Sequence, residues 1–172
     1  VMSLKTRFGN LGNILDFDNL TEENIYVLDS PILTNSQFKK FKKFFSKKIK
    51  VIDCTFDIKS SLKDRIEAIR EEAETAVREG STCIVLSDKN FSSEKASIPS
   101  ILTVGAVHSH LVKHGLRGYC SLNVECSDAM DTHSFAILIG VGATTVNLYL
   151  AIDSIYQRFE KKLFGKTDFE TC

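Results

Sequence analysis

The chain is poor in the features that would give its chemistry away at once. Its 22 basic and 22 acidic residues cancel to a formal net charge of zero, so no global field steers it toward nucleic acid or an anionic membrane. No apolar run approaches the ~20 residues needed to span a bilayer. Its five cysteines are spread along the chain and form no Cys-x-x-Cys pair. No Gly-x-Ser-x-Gly elbow occurs, and no low-complexity segment or internal linker divides the chain. Val1-Met-Ser-Leu4 is neither a secretory nor a transit segment, and residues 1–4 read as partly vector-derived.

What remains is an ordinary globular composition over 172 residues, 43% hydrophobic and 26% charged, enough for one domain with its own core and short for two. Cys54 and Cys83 lie in strand-like apolar runs and read as buried reduced thiols, so a cytoplasmic protein is expected.

Short apolar runs alternate with helical patterns. Ile25–Leu28 precedes a stripe of Phe38, Phe41, Phe44 and Phe45. Val51–Phe56 precedes Leu62–Glu79, where Leu62, Ile66, Ile69, Ala73 and Ala76 recur at helix spacing. On its wet side Lys63/Glu67 and Arg70/Glu74 are placed to pair at i,i+4. Ser61 and Asp64 suggest a capping box, and Gly80 a stop. Thr82–Ser87 leads to Ile98–Lys113, Gly118–Val124 to Asp131–Ile139, and Thr144–Asn147 to Leu150–Phe164. This rhythm predicts an α/β fold of four to five βα units, a mostly parallel sheet flanked by helices. That is about half of an eight-stranded barrel, so an incomplete, half TIM-type barrel is expected, residues 1–172 forming a single domain.

Several patterns invite functional readings. His108 and His110 point roughly 200° apart on a helix, whereas His110 and His114 share a face. No Glu, Asp or Cys on that helix completes a metal shell, so no metal is expected. His133 could join only through the fold. A Ser/His/Asp triad from Ser109 or Ser121, His133 and Asp128 has no supporting motif. Gly140-Val-Gly142 follows a helix and precedes a strand, the reverse of a phosphate loop, and reads as a C-cap and tight turn. Seven lysines between Lys39 and Lys50 alternate with the phenylalanines as the wet face of one helix, not as a nucleic-acid surface. Open parallel sheets place ligands at strand C-termini, here Asp29/Ser30, Asp57, Ser87/Asp88, Glu125 and Asn147. Helix capping or loop anchoring is the expected role of Asp88 and Asn147.

Eight ordered segments carry a family resemblance. They are Arg7-Phe-Gly-Asn-Leu-Gly-Asn-Ile-Leu-Asp16, Leu28-Asp-Ser-Pro-Ile-Leu-Thr-Asn35, Asp53-Cys-Thr-Phe56 and Ile84-Val-Leu-Ser-Asp88, then the run Ile98–Leu111 with its Val-Gly-Ala-Val-His-Ser-His core, Glu125–Ala136, and Ile139–Ala143 with Val146–Ala151. Together they resemble the central domain of the glutamate synthase large subunit. Ser109 and Ser134 stand where that family carries histidine, Cys126-Ser127 replaces its Ser/Thr-Gly, and Leu148 replaces a proline. The resemblance implies a parent enzyme, an oxidoreductase of glutamate biosynthesis and ammonia assimilation. It would hydrolyse glutamine at an N-terminal cysteine and pass ammonia through an internal tunnel. The iminoglutarate formed with 2-oxoglutarate would be reduced on flavin mononucleotide (FMN), a 3Fe-4S cluster relaying electrons from NADPH, NADH or ferredoxin. No nucleophile, cluster cysteines or flavin motif falls in this segment, so no catalytic, cofactor-binding or metal residue is expected in it. The implied role is structural, linking the amidotransferase and FMN-binding domains and helping to wall the tunnel, with self-association of the isolated segment through a bared apolar face. The rival readings are a free-standing small-ligand-binding regulatory module, and a metal-dependent enzyme using the histidine cluster. The residues such a site would draw on are His108, His110, Glu125, His133 and Asn147.

Overall fold

A four-stranded parallel sheet organises the chain, in the order β3 (Ile49–Asp53), β5 (Cys83–Ser87), β7 (Ser121–Glu125) and β8 (Thr145–Asn147). The computed structural model describes residues 4–8 and 26–165. The Gly/Asn-rich opening from residue 9, Ile25 and Cys172 lie outside them. Each neighbouring pair of strands is joined through helix: α2 (Leu62–Arg78), α3 (Ser100–Lys113) and α4 (Thr132–Gly140). Beyond β8, Ile32 makes a parallel bridge to Val146, with Leu33 N and Val146 O 2.9 Å apart and Val146 N and Pro31 O 2.8 Å apart. The arrangement is a half-barrel-like α/β fold.

Alternation along the strands divides the core in two. Ile52, Ile84, Leu86, Leu122, Val124 and Val146 point to the face covered by α2, α3 and α4, meeting Ile69, Ala73, Val104, Val107, Leu111 and Leu138. On the opposite face Cys83 and Val85 meet α1 (Asn35–Phe44) through Phe38 and Phe41, with Leu33 and Phe45 completing the layer. In a closed barrel other strands would cover that inner face; here one aromatic helix does. The phenylalanine stripe is narrower than the spacing implies. The helix ends at Phe44, so Phe45 folds beneath it while Phe44 stays 52% exposed, tilted against the Tyr26 ring with centres 5.0 Å apart.

Two short antiparallel pairs depart from the predicted βα rhythm. β2 (Tyr26–Leu28) is not a strand of the parallel sheet but pairs with β1 (Thr6–Phe8). The run Val51–Phe56 is not one strand. Asp53 Oδ1 accepts from Thr55 N at 3.0 Å and Thr55 Oγ1 at 2.8 Å, an Asx-type turn that throws the chain off the sheet. Arg65 fixes the kink by donating to the carbonyls of Asp53 and Thr55. The continuation, β4 (Thr55–Asp57), then pairs with β6 (Lys95–Ser97). Asp57 therefore ends an antiparallel strand and is not on the sheet edge, where Asp53 stands in its place.

Caps account for the helix starts. Thr34 and Gln37 form a full capping box on α1, and Asp131 accepts from Ser134 N at 2.7 Å on α4. Ser61 accepts from Asp64 N on α2. α3 begins after Pro99 with no cap of its own. Asp128, from the loop after β7, supplies one by accepting from Ser100 N at 2.8 Å. The ion pairs on α2 fall on Arg70–Glu67 and Arg78–Glu74 rather than on Lys63/Glu67 and Arg70/Glu74, because Glu74 faces α3.

Gly142 holds φ +120° between α4 and β8, and a Cβ there would lie 2.3 Å from His108 Nδ1. Gly142→Ala is expected to cost about 1–3 kcal/mol, from a backbone region closed to alanine plus displacement of the imidazole. Urea unfolding checks this; Gly140→Ala, where a Cβ meets nothing, is the control.

Candidate functional site

The strand C-termini gather polar groups at one edge of the sheet, and register explains the neighbours: Asp53 lies opposite Ser87, Ser87 opposite Glu125, and Glu125 opposite Asn147. Glu125 is the centre. Only 3% of its side chain is exposed, yet Lys89 Nζ approaches to 2.8 Å, Ser87 Oγ to 2.8 Å and Lys42 Nζ to 3.0 Å. Burial pushes its carboxyl up, but the bonds from Lys89, Ser87 and Lys42 outweigh this and hold it below the ordinary carboxylate value. Lys42 comes from α1 and Lys89 from the loop after β5, so three elements meet on one carboxylate.

The other groups at this edge are engaged in the same way. Asp88 Oδ2 accepts from Ser127 N at 2.8 Å and Ser127 Oγ at 2.6 Å, while its Oδ1 accepts from Tyr149 Oη at 2.9 Å. Burial and that bond raise the Tyr149 hydroxyl, and Lys89 Nζ lies 4.7 Å from its ring centre. Asn147 donates to Leu33 O at 2.8 Å and Asn35 Oδ1 at 3.0 Å, tying β8 to the start of α1; its own Oδ1 is buried with no partner among the described residues. Asp53 receives Asn90 at 3.1 Å, and burial, which raises its carboxyl, is outweighed by bonds from Asn90 and Thr55 and the charge of Arg65. Ser30 Oγ accepts from Ile32 N at 3.2 Å, and Asp29 is exposed.

The histidines do not join this edge. His108 sits by the opposite end of β7 and β8, where its Nδ1 accepts from Arg117 Nε at 3.2 Å. Burial and then the Arg117 charge lower its pKa, which favours the neutral acceptor. Arg117 also donates to Cys120 O at 2.6 Å, Gly142 O at 2.8 Å and Thr144 Oγ1 at 3.3 Å, binding the α4–β8 turn to β7. His110 faces Glu74 on α2, its Nε2 2.7 Å from Oε2. His133 is exposed in the first turn of α4. The set His108, His110, Glu125 and His133 is thus spread over separate places and forms no common centre. Sequence spacing could not reveal the partners Lys42, Lys89, Arg117 or Tyr149, each of which acts across different elements.

Fold and edge define a parallel α/β domain whose sheet-end acids bind one loop or helix to another. The chain belongs to the glutamate synthase central domain family, whose model matches residues 1–171. It is 47% identical over 173 residues to the NADPH glutamate synthase large chain of Azospirillum brasilense, covering 99% of this chain and 11% of that protein. It is 37% identical to the chloroplastic ferredoxin-dependent glutamate synthase of Spinacia oleracea, covering 91% of this chain and 10% of the relative. With the NADH glutamate synthase of Schizosaccharomyces pombe the figures are 38%, 90% and 8%. The chain therefore spans about a tenth of the length of these curated relatives, which carry other segments besides this one. Among the described residues no helix is long and apolar enough to cross a membrane.

Proposed function

We propose that this chain, as one domain, is the positioning module of a glutamate-forming large chain. In this reading it holds an amidotransferase domain and an FMN-binding domain at fixed separation and helps wall the tunnel between them. Ammonia released from glutamine then reaches 2-oxoglutarate without loss to water. The observation that supports this is the engagement of the sheet edge: Asp53, Asp88, Glu125 and Asn147, where a parallel sheet would hold a ligand, each bind another part of the same chain.

The described residues do not fit the cofactors that the parent implies. A 3Fe-4S cluster needs converging thiolates. Cys54, Cys83, Cys120 and Cys126 are buried in different strands and loops, and burial pushes the thiols of Cys54, Cys83 and Cys126 up to about 12. The Gly140–Gly142 turn caps the end of a helix, so it aims no helix N-terminus at an FMN phosphate. In this reading those groups belong to other segments of the parent. Relatives named for NADPH, NADH and ferredoxin share this segment, so the reading makes it indifferent to the electron donor. Buried protonated thiols suit the cytoplasm, where we place the parent.

The isolated 172-residue chain is expected to show background rates in glutaminase and glutamate synthase assays. Glutamate formation by the purified chain, abolished by His133→Ala, would sink the proposal.

A further inference from the structure

We propose that the seam between α2 and α3 carries a surface site for one divalent transition-metal ion of the zinc type, ligated by Glu74, His110 and His114. Neither helix supplies this set alone. His110 and His114 are one turn apart on α3, their ring centres 4.3 Å apart. Glu74 reaches across from α2, with Oε2 2.7 Å from His110 Nε2 and 3.8 Å from His114 Nδ1. All three donor atoms lie within 4.8 Å of one another, and no second group of this kind occurs among the described residues. Two helical histidines without a third group make half a site; the fold adds the carboxylate that the helix itself lacks.

The spacing suits the ion. Tetrahedral zinc holds nitrogen and oxygen at about 2.0–2.1 Å, which sets ligand atoms about 3.3 Å apart. The separations of 2.7 Å and 3.8 Å straddle that value, so loading lengthens one contact and shortens the other by about half an ångström. Two imidazoles and a carboxylate leave the fourth position to water. Glu74 Oε1 is held by Arg78 Nε at 2.8 Å, which turns Oε2 toward the imidazoles in the manner of an outer-shell partner.

In the metal-free chain His110 Nε2–H donates to Glu74, and His114 Nδ1 lies 2.9 Å from the His110 carbonyl, so that nitrogen also carries its proton. On loading, each neutral ring moves its proton to its other nitrogen and offers the vacated lone pair to the ion. The hydrogen bonds that His110 Nε2 gave to Glu74 and His114 Nδ1 gave to the His110 carbonyl are exchanged for the two bonds to the ion. The Arg78 charge and solvent access weaken the site relative to a buried one. The ion staples α2 to α3 and should raise the melting temperature.

The test is titration of the 172-residue chain with zinc, nickel and cobalt chlorides in a Cys172→Ser background, which removes a competing thiol. Calorimetry gives stoichiometry and affinity, and cobalt absorption gives geometry. We expect one ion per chain, weakened at least about 10-fold by His110→Ala, His114→Ala or Glu74→Gln and unchanged by His133→Ala. Zinc should raise the melting temperature of the unsubstituted background but not of His114→Ala. His114 is partly exposed, so its loss leaves the fold intact, as circular dichroism would check, and that variant decides the matter if His110→Ala unfolds. Binding that is indifferent to His114→Ala, binding that depends on His133, or no saturation at millimolar ion would each overturn the proposal.

Discussion

Replacing Phe41 with alanine is expected to remove about 3–5 kcal/mol of stability, the range for a fully buried phenylalanine. Phe41 is 1% exposed, and its ring lies 5.5 Å from that of Phe38 and 5.2 Å from that of Phe45. Three helices seal one face of the sheet, but the other depends on α1, so a void there opens directly over Cys83 and Val85. Cys83 is fully buried and its thiol is pushed up to about 12, which leaves it inert in the intact chain. In the variant, Cys83 should react with a disulfide reagent far faster, while Cys54 and Cys126, in the other core, stay protected. A drop in urea midpoint at constant slope together with this selectivity would establish α1 as the seal. Loss below about 1 kcal/mol, or equal labelling of all three thiols, would mean that the inner face does not need it.

How far the fold could be read in advance follows from the range of the interaction concerned. The alternation of Cys83–Ser87 with Ile98–Lys113, the apolar stripe of α2 and the stop at Gly80 are local signals, written in neighbouring residues. They suffice for the parallel sheet and its helices. The breaks in the rhythm were hidden because each depends on a partner far along the chain. Asp53 bends β3 only with Arg65 to hold the freed carbonyls. Tyr26–Leu28 has strand composition, but its antiparallel partner, Thr6–Phe8, is not a sequence neighbour. The site shows the same division. Glu125 and Asn147 are visible as acids and amides at strand ends, whereas Lys42, 83 residues away from Glu125, is indistinguishable in sequence from the other lysines of α1. Glu74 looked like half of an i,i+4 pair with Arg70 and turned out to face His110.

The sheet edge yields the second large effect. Lys42→Met combined with Lys89→Met is expected to cost about 3–5 kcal/mol near neutral pH, because it strands a buried charge rather than because the lysines are well packed. Their own side chains are 32% and 45% exposed, against 3% for Glu125, so the penalty falls on the carboxylate. The pH profile should change sign with it. In the natural chain Glu125 titrates below its unfolded value, so it stabilises the fold above about pH 4.3, and that contribution is lost as pH falls through the folded value. Without the two ammonium groups, burial opposes ionisation with only Ser87 Oγ to offset it, and the folded pKa rises above the unfolded one. The carboxylate then destabilises the fold at neutral pH, and acidification toward about pH 4.3 relieves the cost. From neutral pH down to about pH 4.3 the Glu125 contribution should therefore leave the urea midpoint of the natural chain unchanged and raise that of the double variant, and adding Glu125→Gln to the double variant should restore most of the neutral-pH loss. Parallel profiles would mean that Glu125 is hydrated in solution and that the three-element junction of α1, β7 and the loop after β5 is not what holds the edge. In a parent enzyme built as proposed, the same double variant should let glutamine hydrolysis outrun glutamate formation, because a loosened edge no longer keeps the two centres in register.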